Sequence, residues 1–200
     1  MKSKIMNVPN ILSLIRVALV PAFAAALLFM KDIELVGVLV PAFIYALTAF
    51  TDFLDGKIAR KYGLITDFGK FIDPLADKFM VIGSMLALLA LMFLQGRVLQ
   101  GSIFIWLVLL ILFRELAVTS LRLVVAGKGK RVDLAANLFG KMKTVSQMVG
   151  TVVIIVEPII PYFSENNILS YVCMAVMAFT TVASGINYFL GYLPYMTSED

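Results

Sequence analysis

The chain has 200 residues, of which 61% are hydrophobic and 15% are charged, with a net charge of +4. Soluble domains hold about a quarter charged residues, so we predict a single membrane-embedded domain, residues 1–200, with the lipid bilayer as a partner. The cations lie between apolar segments, which argues against nucleic acid as a partner. The absence of histidine excludes histidine zinc sites and Ser-His-Asp triads, and the single cysteine, Cys173, excludes an intrachain disulfide.

Six stretches are long and apolar enough to cross a bilayer core. In chain order they cover roughly residues 9–30, 35–59, 69–94, 101–125, 137–160 and 168–193. The first is too long for a signal peptide and carries Arg16, so we predict that it is a retained helix. The predicted fold is therefore all-α, an integral membrane protein with six transmembrane helices and no internal repeat.

Basic residues indicate the orientation of these helices. With six spans both termini lie on one side, and that side receives all but two of the seventeen lysines and arginines. The other side receives only Lys31 and Arg97. Because cytoplasmic loops carry the excess of lysine and arginine, we predict a multi-pass protein of the cell membrane with both termini in the cytoplasm.

Four aspartates lie at this cytoplasmic side. Asp52 and Asp55 end the second stretch, and Asp73 and Asp77 begin the third. Three or four residues bring a helix back to the same face, so each pair shares a face and a short turn lets the pairs meet. Buried carboxylates are costly and repel each other, and two divalent cations such as Mg²⁺ or Mn²⁺ would remove both problems and suit displacement at phosphorus.

The alternative is that these carboxylates form ion pairs with Lys57, Arg60 and Lys70. Small residues accompany the aspartates: Gly56, Ala59 and Gly69 would let a ligand approach the backbone, although ordinary helix packing also explains them. Arg60 is a planar donor suited to phosphate.

Together these residues spell D-x-x-D-G-x-x-A-R-x₈-G-x-x-x-D-x-x-x-D, from Asp52 to Asp77. This pattern resembles the signature of the CDP-alcohol phosphotransferase family, with every fixed position matched. The resemblance implies the six-span fold of that family, a homodimer, and transfer of a phosphatidyl or similar group to an alcohol with release of CMP. It implies Asp52, Asp55 and Asp73 as ligands of two metal ions per subunit, with Asp77 completing the second site and acting as general base. It also implies a CDP-diacylglycerol pocket lined by Gly56, Ala59, Arg60 and Gly69.

Further segments are similar to the phosphatidylglycerophosphate synthases within that family: N-V-P-N-I-L-S-L-I-R-V-A-L-V-P-A-F at 7–23, D-F-G-K-F-I-D-P-L-A-D-K at 67–78, R-E-L-A-V-T-S-L-R at 114–122 and G-K-M-K-T-V-S-Q at 140–147. The last stretch matches little. The similarity implies glycerol 3-phosphate as acceptor, and direct displacement is favoured because no Ser, Cys or His nucleophile lies within the motif.

Four cations are candidates for the acceptor phosphate: Arg114, Arg122, Lys141 and Lys143. The arginines are eight residues apart, about 80° around a helix, whereas the lysines diverge by about 200° and reach one ligand only if the helix is bent or frayed. Topology alone would also place cations here.

Other functions stay open. Phosphatidylglycerol as acceptor would make a cardiolipin synthase, and serine or inositol phosphate would give other phospholipids. An ion or proton transporter is a remote alternative, because transporters bind near the midplane between repeated halves, whereas these aspartates lie at helix ends.

Overall fold

Residues 7–62, 66–127, 138–164 and 166–197 are described by a computed structural model, without the side chains of 52–62, 126, 164, 196 and 197. They form seven α-helices: α1 (Val8–Phe29), α2 (Val36–Tyr62), α3 (Asp67–Leu94), α4 (Val98–Gly127), α5 (Leu138–Val156), α6 (Pro161–Ser164) and α7 (Ile168–Thr197). A 3₁₀ turn, Glu157–Ile159, follows α5. The six long helices agree with the predicted stretches to within a few residues, whereas α6 and the 3₁₀ turn were not predicted.

Side-chain caps fix where α1 and α3 begin. The Asn7 side chain accepts a hydrogen bond from the backbone N–H of Asn10, and Thr66 Oγ1 accepts one from that of Gly69, both at 3.0 Å. Such caps satisfy N–H groups that have no partner inside the first turn. The two starts lie side by side, because Asn10 Nδ2 also donates to Thr66 Oγ1 at 2.9 Å.

The six long helices alternate in direction, so the bundle has two ends. The aspartate end is the one at which α1, α3 and α5 begin and α2, α4 and α7 finish. At the far end α3 turns directly into α4 through Gly96, whose φ of +70° favours glycine. The same end joins α4 to α7, since Arg97 Nη1 donates to Asn167 Oδ1 at 3.0 Å.

Glu157 anchors α7 at the far end. Its side chain is fully buried and accepts hydrogen bonds from the backbone N–H groups of Leu169 and Ser170, at 2.8 and 3.0 Å, and from the Ser170 hydroxyl. A carboxylate suits the positive N-terminus of a helix. Glu157 therefore fixes the first turn of α7 against the end of α5.

Helix α1 packs against α2 and α3, and α7 packs against α4 and α5. Their contacts bury apolar residues such as Phe23, Met80 and Met177, whereas Trp106, Phe113 and Phe179 are more than 70% exposed. Large apolar side chains on the outside of a helix bundle are expected where lipid, not water, surrounds it.

Five helices of the described chain are long and apolar enough to cross a membrane: α1, α3, α4, α5 with its 3₁₀ turn, and α7. In α2 the apolar portion that the structure describes fully, Val36–Thr51, is shorter. The structure thus supports a multi-pass membrane protein, with the prediction of a sixth span resting on α2.

Candidate active site

Polar side chains form one face of α1 near the aspartate end. Asn10, Ser13 and Arg16 follow at three-residue spacing and are all buried, Arg16 completely. A spacing of three keeps side chains on one helical face. A fully buried guanidinium needs an anionic partner, because its desolvation is otherwise uncompensated.

The partners lie on α3. The Ser13 hydroxyl donates to Asp73 Oδ1 at 2.6 Å, and Arg16 Nη1 forms an ion pair with Asp77 Oδ1. Both aspartates lie on one face of α3, as the sequence predicted. The Asp77 side chain is 56% exposed, so it faces both Arg16 and the open side of the site.

Gly69 lies one turn before Asp73, at a close contact between α1 and α3. A Cβ at this position would lie 2.7 Å from Asn10 Oδ1, so glycine permits the contact between the helices. We call the contact surface between the two helices the α1/α3 seam. It consists of Asn10, Ser13, Arg16, Thr66, Gly69, Asp73 and Asp77.

Five of the residues predicted for this site lie on α2. Asp52, Asp55, Gly56, Ala59 and Arg60 belong to the last turns of that helix, but their side chains lie outside the described part of the structure. Helix α2 packs against α1, which also carries the contacts to Asp73 and Asp77. The prediction that the two pairs of aspartates meet stays a prediction.

The α3 carboxylates fit the predicted divalent metal ions. They are hard oxygen donors on one helical face, of the type that Mg²⁺ and Mn²⁺ prefer, and Arg16 pairs with Asp77, whereas the contact described for Asp73 is the neutral Ser13 hydroxyl. Among the side chains that the structure describes, no three acidic or cysteine groups form a cluster. A complete donor set would therefore need Asp52 and Asp55.

A second polar group lies between α4, α5 and α7. Arg114 Nη1 donates to Glu115 Oε1 at 2.9 Å, and Lys143 Nζ donates to the same oxygen. Arg114 Nη2 donates to Ser184 Oγ at 2.6 Å. The side chains of Arg114, Glu115 and Lys143 are 11%, 16% and 6% exposed, so this group is largely shielded from solvent.

Tyr188 of α7 lies between two guanidinium groups. The central carbons of Arg114 and Arg122 are each 5.2 Å from its ring centroid, within the range of cation–π attraction. Arg122 Nη2 also donates to the Tyr188 hydroxyl at 3.2 Å. Tyr192, one turn later, stacks on Tyr188 with ring centroids 6.4 Å apart.

We call this group the cation cluster. It consists of Arg114, Glu115, Arg122, Lys143, Ser184 and Tyr188. The predicted acceptor cations Arg114, Arg122 and Lys143 are therefore brought together. Lys141 is not among them: it is exposed whereas Lys143 is buried, as their predicted divergence around a helix requires.

The seam and the cluster meet through α3. Asp77 belongs to the seam, and the next residue, Lys78, reaches across to α4, where its Nζ donates to Thr119 Oγ1 at 2.5 Å. Thr119 in turn donates to the backbone carbonyl of Glu115 at 2.7 Å. Consecutive residues of α3 are thus connected to the two polar groups, Asp77 as a member of the seam and Lys78 through Thr119 to the backbone of the cluster residue Glu115.

Several of these residues were not predicted as site residues. The partners Glu115, Ser184 and Tyr188 were missed, as were the contacts of Arg16 with Asp77 and of Lys78 with Thr119. A signal was present on α1, where three polar residues at three-residue spacing interrupt an apolar helix. On α7 the signal was weaker: Ser184, Tyr188 and Tyr192 recur every four residues.

The chain was compared with known proteins. Residues 6–183 match the family model described as CDP-alcohol phosphatidyltransferase. The chain is 36% identical over 192 residues to the CDP-diacylglycerol–glycerol-3-phosphate 3-phosphatidyltransferase of Bacillus subtilis (strain 168), covering 92% of this chain and 93% of that protein. It is also 36% identical to a probable phosphatidylglycerophosphate synthase of Mycobacterium tuberculosis (strain H37Rv), covering 94% and 82%. A 3-phosphatidyltransferase of Pseudomonas fluorescens is 31% identical, covering 97% and 94%.

Proposed function

The chain belongs to the CDP-alcohol phosphatidyltransferase family, and from this membership we propose that it makes phosphatidylglycerophosphate and CMP from CDP-diacylglycerol and glycerol 3-phosphate. The observation that supports this function most is that an acidic seam and a cation cluster lie at the same end of the bundle, linked from Asp77 and its neighbour Lys78 through Thr119 to the backbone of Glu115. A phosphoryl-transfer enzyme with a phosphorylated acceptor needs a carboxylate beside an anion-binding group.

Asp77 is the base in this mechanism. One of its carboxylate oxygens takes the proton from a hydroxyl of glycerol 3-phosphate. The deprotonated oxygen of glycerol 3-phosphate then attacks the phosphorus that bears diacylglycerol. The bond from this phosphorus to CMP breaks, and CMP leaves with its electron pair. Arg16 holds Asp77 through its ion pair, which orients the carboxylate from the buried side.

Asp52, Asp55, Asp73 and Asp77 would hold two Mg²⁺ or Mn²⁺ ions per subunit. When bound, these ions act as Lewis acids on the pyrophosphate and stabilise the leaving group. Gly56, Ala59 and Arg60 bind the CDP portion, and the small residues let it approach the helix backbone. Gly69, predicted for the same pocket, is buried against Asn10, so it serves the contact between α1 and α3. The Ser13 hydroxyl fixes the orientation of Asp73.

The cation cluster binds the acceptor phosphate. Arg114 and Arg122 present planar donors that match phosphate oxygens, and Lys143 adds a point charge. Lys141 lies at the exposed edge and attracts the dianion from the cytoplasm. The ring of Tyr188 attracts both guanidinium groups through cation–π interactions.

Purified protein in lipid vesicles tests this function. CDP-diacylglycerol is supplied with glycerol 3-phosphate, glycerol, phosphatidylglycerol, serine or inositol phosphate, and the lipid product is identified by mass. We expect CMP release and phosphatidylglycerophosphate with glycerol 3-phosphate, and little product with the others. Cardiolipin or another phospholipid as the main product would contradict the proposed acceptor, and no CMP release with any acceptor would contradict the enzyme.

We further propose that residues 1–200 form one catalytic domain with six transmembrane helices, in which α2 is the sixth span and the aspartate end faces the cytoplasm. The support is the 27-residue length of α2 and the bias of lysine and arginine toward that end. Cysteine labelling in a Cys173→Ala background tests it. Lys128→Cys should react only with reagents that enter the cell, and Asn166→Cys with reagents kept outside; the opposite pattern would reverse the orientation.

The family resemblance also carries the proposal of a homodimer in the cell membrane. Co-purification of two differently tagged copies tests it: tags that never co-purify from mixed expression would indicate a monomer.

A further inference from the structure

Glu115 is an acid inside a group that is proposed to bind an anion. Its side chain is only 16% exposed, and one oxygen, Oε1, accepts hydrogen bonds from both Arg114 and Lys143. A carboxylate repels phosphate. We therefore expect Glu115 to make a favourable contribution to the site that is larger than this repulsion. Nothing in the proposed mechanism uses Glu115.

The shared oxygen sets the distance between the two cations. Two nitrogens that each lie within hydrogen-bond distance of one oxygen are at most about 6 Å apart. Two cations in a poorly solvated site otherwise repel each other and separate. Glu115 therefore holds Arg114 and Lys143 close enough for both to reach one phosphate group.

Glu115 leaves donors available for a ligand. An arginine has five N–H donors and a lysine has three, and the described contacts of Arg114 use one on each terminal nitrogen, toward Glu115 and Ser184. Arg114 Nε is buried without a hydrogen-bond partner among the described residues. Lys143 donates to Glu115 and, like Arg114, retains further protons.

From these contacts we propose that Glu115 is a positioning residue of the acceptor site, which holds Arg114 and Lys143 side by side for the phosphate of glycerol 3-phosphate. The inference rests on the proposed function. It opposes a purely electrostatic view, in which the negative charge of Glu115 only weakens acceptor binding. The two views predict opposite effects when the charge is removed and the shape is kept.

Steady-state kinetics of Glu115→Gln separate these views. If Glu115 positions the cations, its loss raises the KM for glycerol 3-phosphate about 10- to 100-fold, the usual worth of hydrogen bonds to charged groups. The KM for CDP-diacylglycerol stays within about twofold, because the side-chain contacts described for Glu115 are with Arg114 and Lys143 of the cluster. Glu115→Asp keeps the charge and should recover part of the acceptor affinity.

The double variant Glu115→Gln/Lys143→Met adds a second readout. Because both changes remove the same contact, the rise in KM for glycerol 3-phosphate should be smaller than the product of the two single rises. A rise equal to that product would show that Glu115 does not act through Lys143, and would overturn the proposal.

Glu157→Gln is the matched control, since Glu157 is also a buried glutamate but accepts only neutral donors at the far end. It should lower thermal stability and leave both KM values unchanged. An unchanged or lower acceptor KM in Glu115→Gln, or an equal rise for both substrates, would overturn the positioning role. If Glu115→Gln does not fold, Glu115→Asp is the variant to measure. If its KM values for both substrates and its thermal stability equal those of the wild type, the proposal is overturned.

The wild-type product separates this inference from the proposed function. If the wild type makes no phosphatidylglycerophosphate, the proposed function fails and the role of Glu115 fails with it. If the wild type makes this lipid and the variants show no selective acceptor effect, only the role of Glu115 fails.

Discussion

The α1/α3 seam and the cation cluster lie at the same end of the bundle but have opposite charge balances. The seam contains two aspartates and one arginine: Arg16 pairs with the half-exposed Asp77, and Ser13 donates to Asp73. In the cluster three cations surround one glutamate, and both Arg114 and Lys143 contact the same carboxylate oxygen. The seam therefore has surplus negative charge for cations, and the cluster has surplus positive charge for anions.

The comparison shows how one short helical bundle can hold two charged substrates. Each group contains a minority charge that is completely or largely shielded from solvent: Arg16 in the seam pairs with Asp77, and Glu115 in the cluster pairs with Arg114 and Lys143. Burying charges of one sign alone would be costly, so the minority charge makes each group tolerable inside the membrane region. The charge that remains unbalanced in each group is available to attract a ligand of the opposite sign.

Removing divalent metal should have the largest effect, because it leaves the seam with uncompensated acids. We expect EDTA to abolish CMP release and Mg²⁺ or Mn²⁺ to restore it, measured as CMP formed by purified protein. Full activity in metal-free buffer would contradict this view of the seam, because its surplus carboxylates would then not be needed to bind a metal ion.

Asp77→Asn should come next. The variant keeps the size of the side chain but loses the base, so turnover should fall by a factor on the order of 10²–10⁴ while CDP-diacylglycerol still binds. Asp67→Asn is the matched control on the same helix, because Asp67 is exposed and its ion pair among the described residues is with Lys70. Turnover of Asp77→Asn near that of the control would remove Asp77 from the role of base.

Changes in the cluster should act on the acceptor alone. Arg114→Ala or Arg122→Ala should raise the KM for glycerol 3-phosphate about 10- to 100-fold, as expected for lost charged hydrogen bonds. The KM for CDP-diacylglycerol should change little. Initial rates with one substrate varied at a time measure both constants, and an equal rise in the two would mean that the cluster serves the fold or the shared pyrophosphate.

The smallest effect is expected for Lys141, and it should differ from the effect of changing Lys143. Lys143→Ala removes a buried contact to Glu115, whereas Lys141→Ala removes an exposed charge. We expect the loss of Lys141 to raise the acceptor KM by no more than about threefold, because exposed charges are screened. This small effect should vanish at high salt, and a Lys141 effect as large as that of Lys143 would place both lysines on the ligand.

The sequence was sufficient to predict the six long helices and the shared face of Asp73 and Asp77, because both follow from local periodicity. It also predicted that Lys141 and Lys143 diverge. It could not predict that Arg16 pairs with Asp77, since 61 residues separate them. Nor could it assign Tyr188, because its contacts with Arg114 and Arg122 depend on how α7 packs against α4.

Arg16 also bears on how the protein is made. It is the ninth residue of α1, and an arginine near the middle of a span costs about 2.5–3.5 kcal/mol on insertion scales. Ribosomes add about 5–20 residues per second, so Arg16 is synthesised several seconds before Asp77. The apolar residues of α1 therefore have to offset the cost of Arg16 until this partner is made. We therefore expect substitutions that make α1 more polar to reduce the amount of protein in the membrane, even where the finished fold would tolerate them.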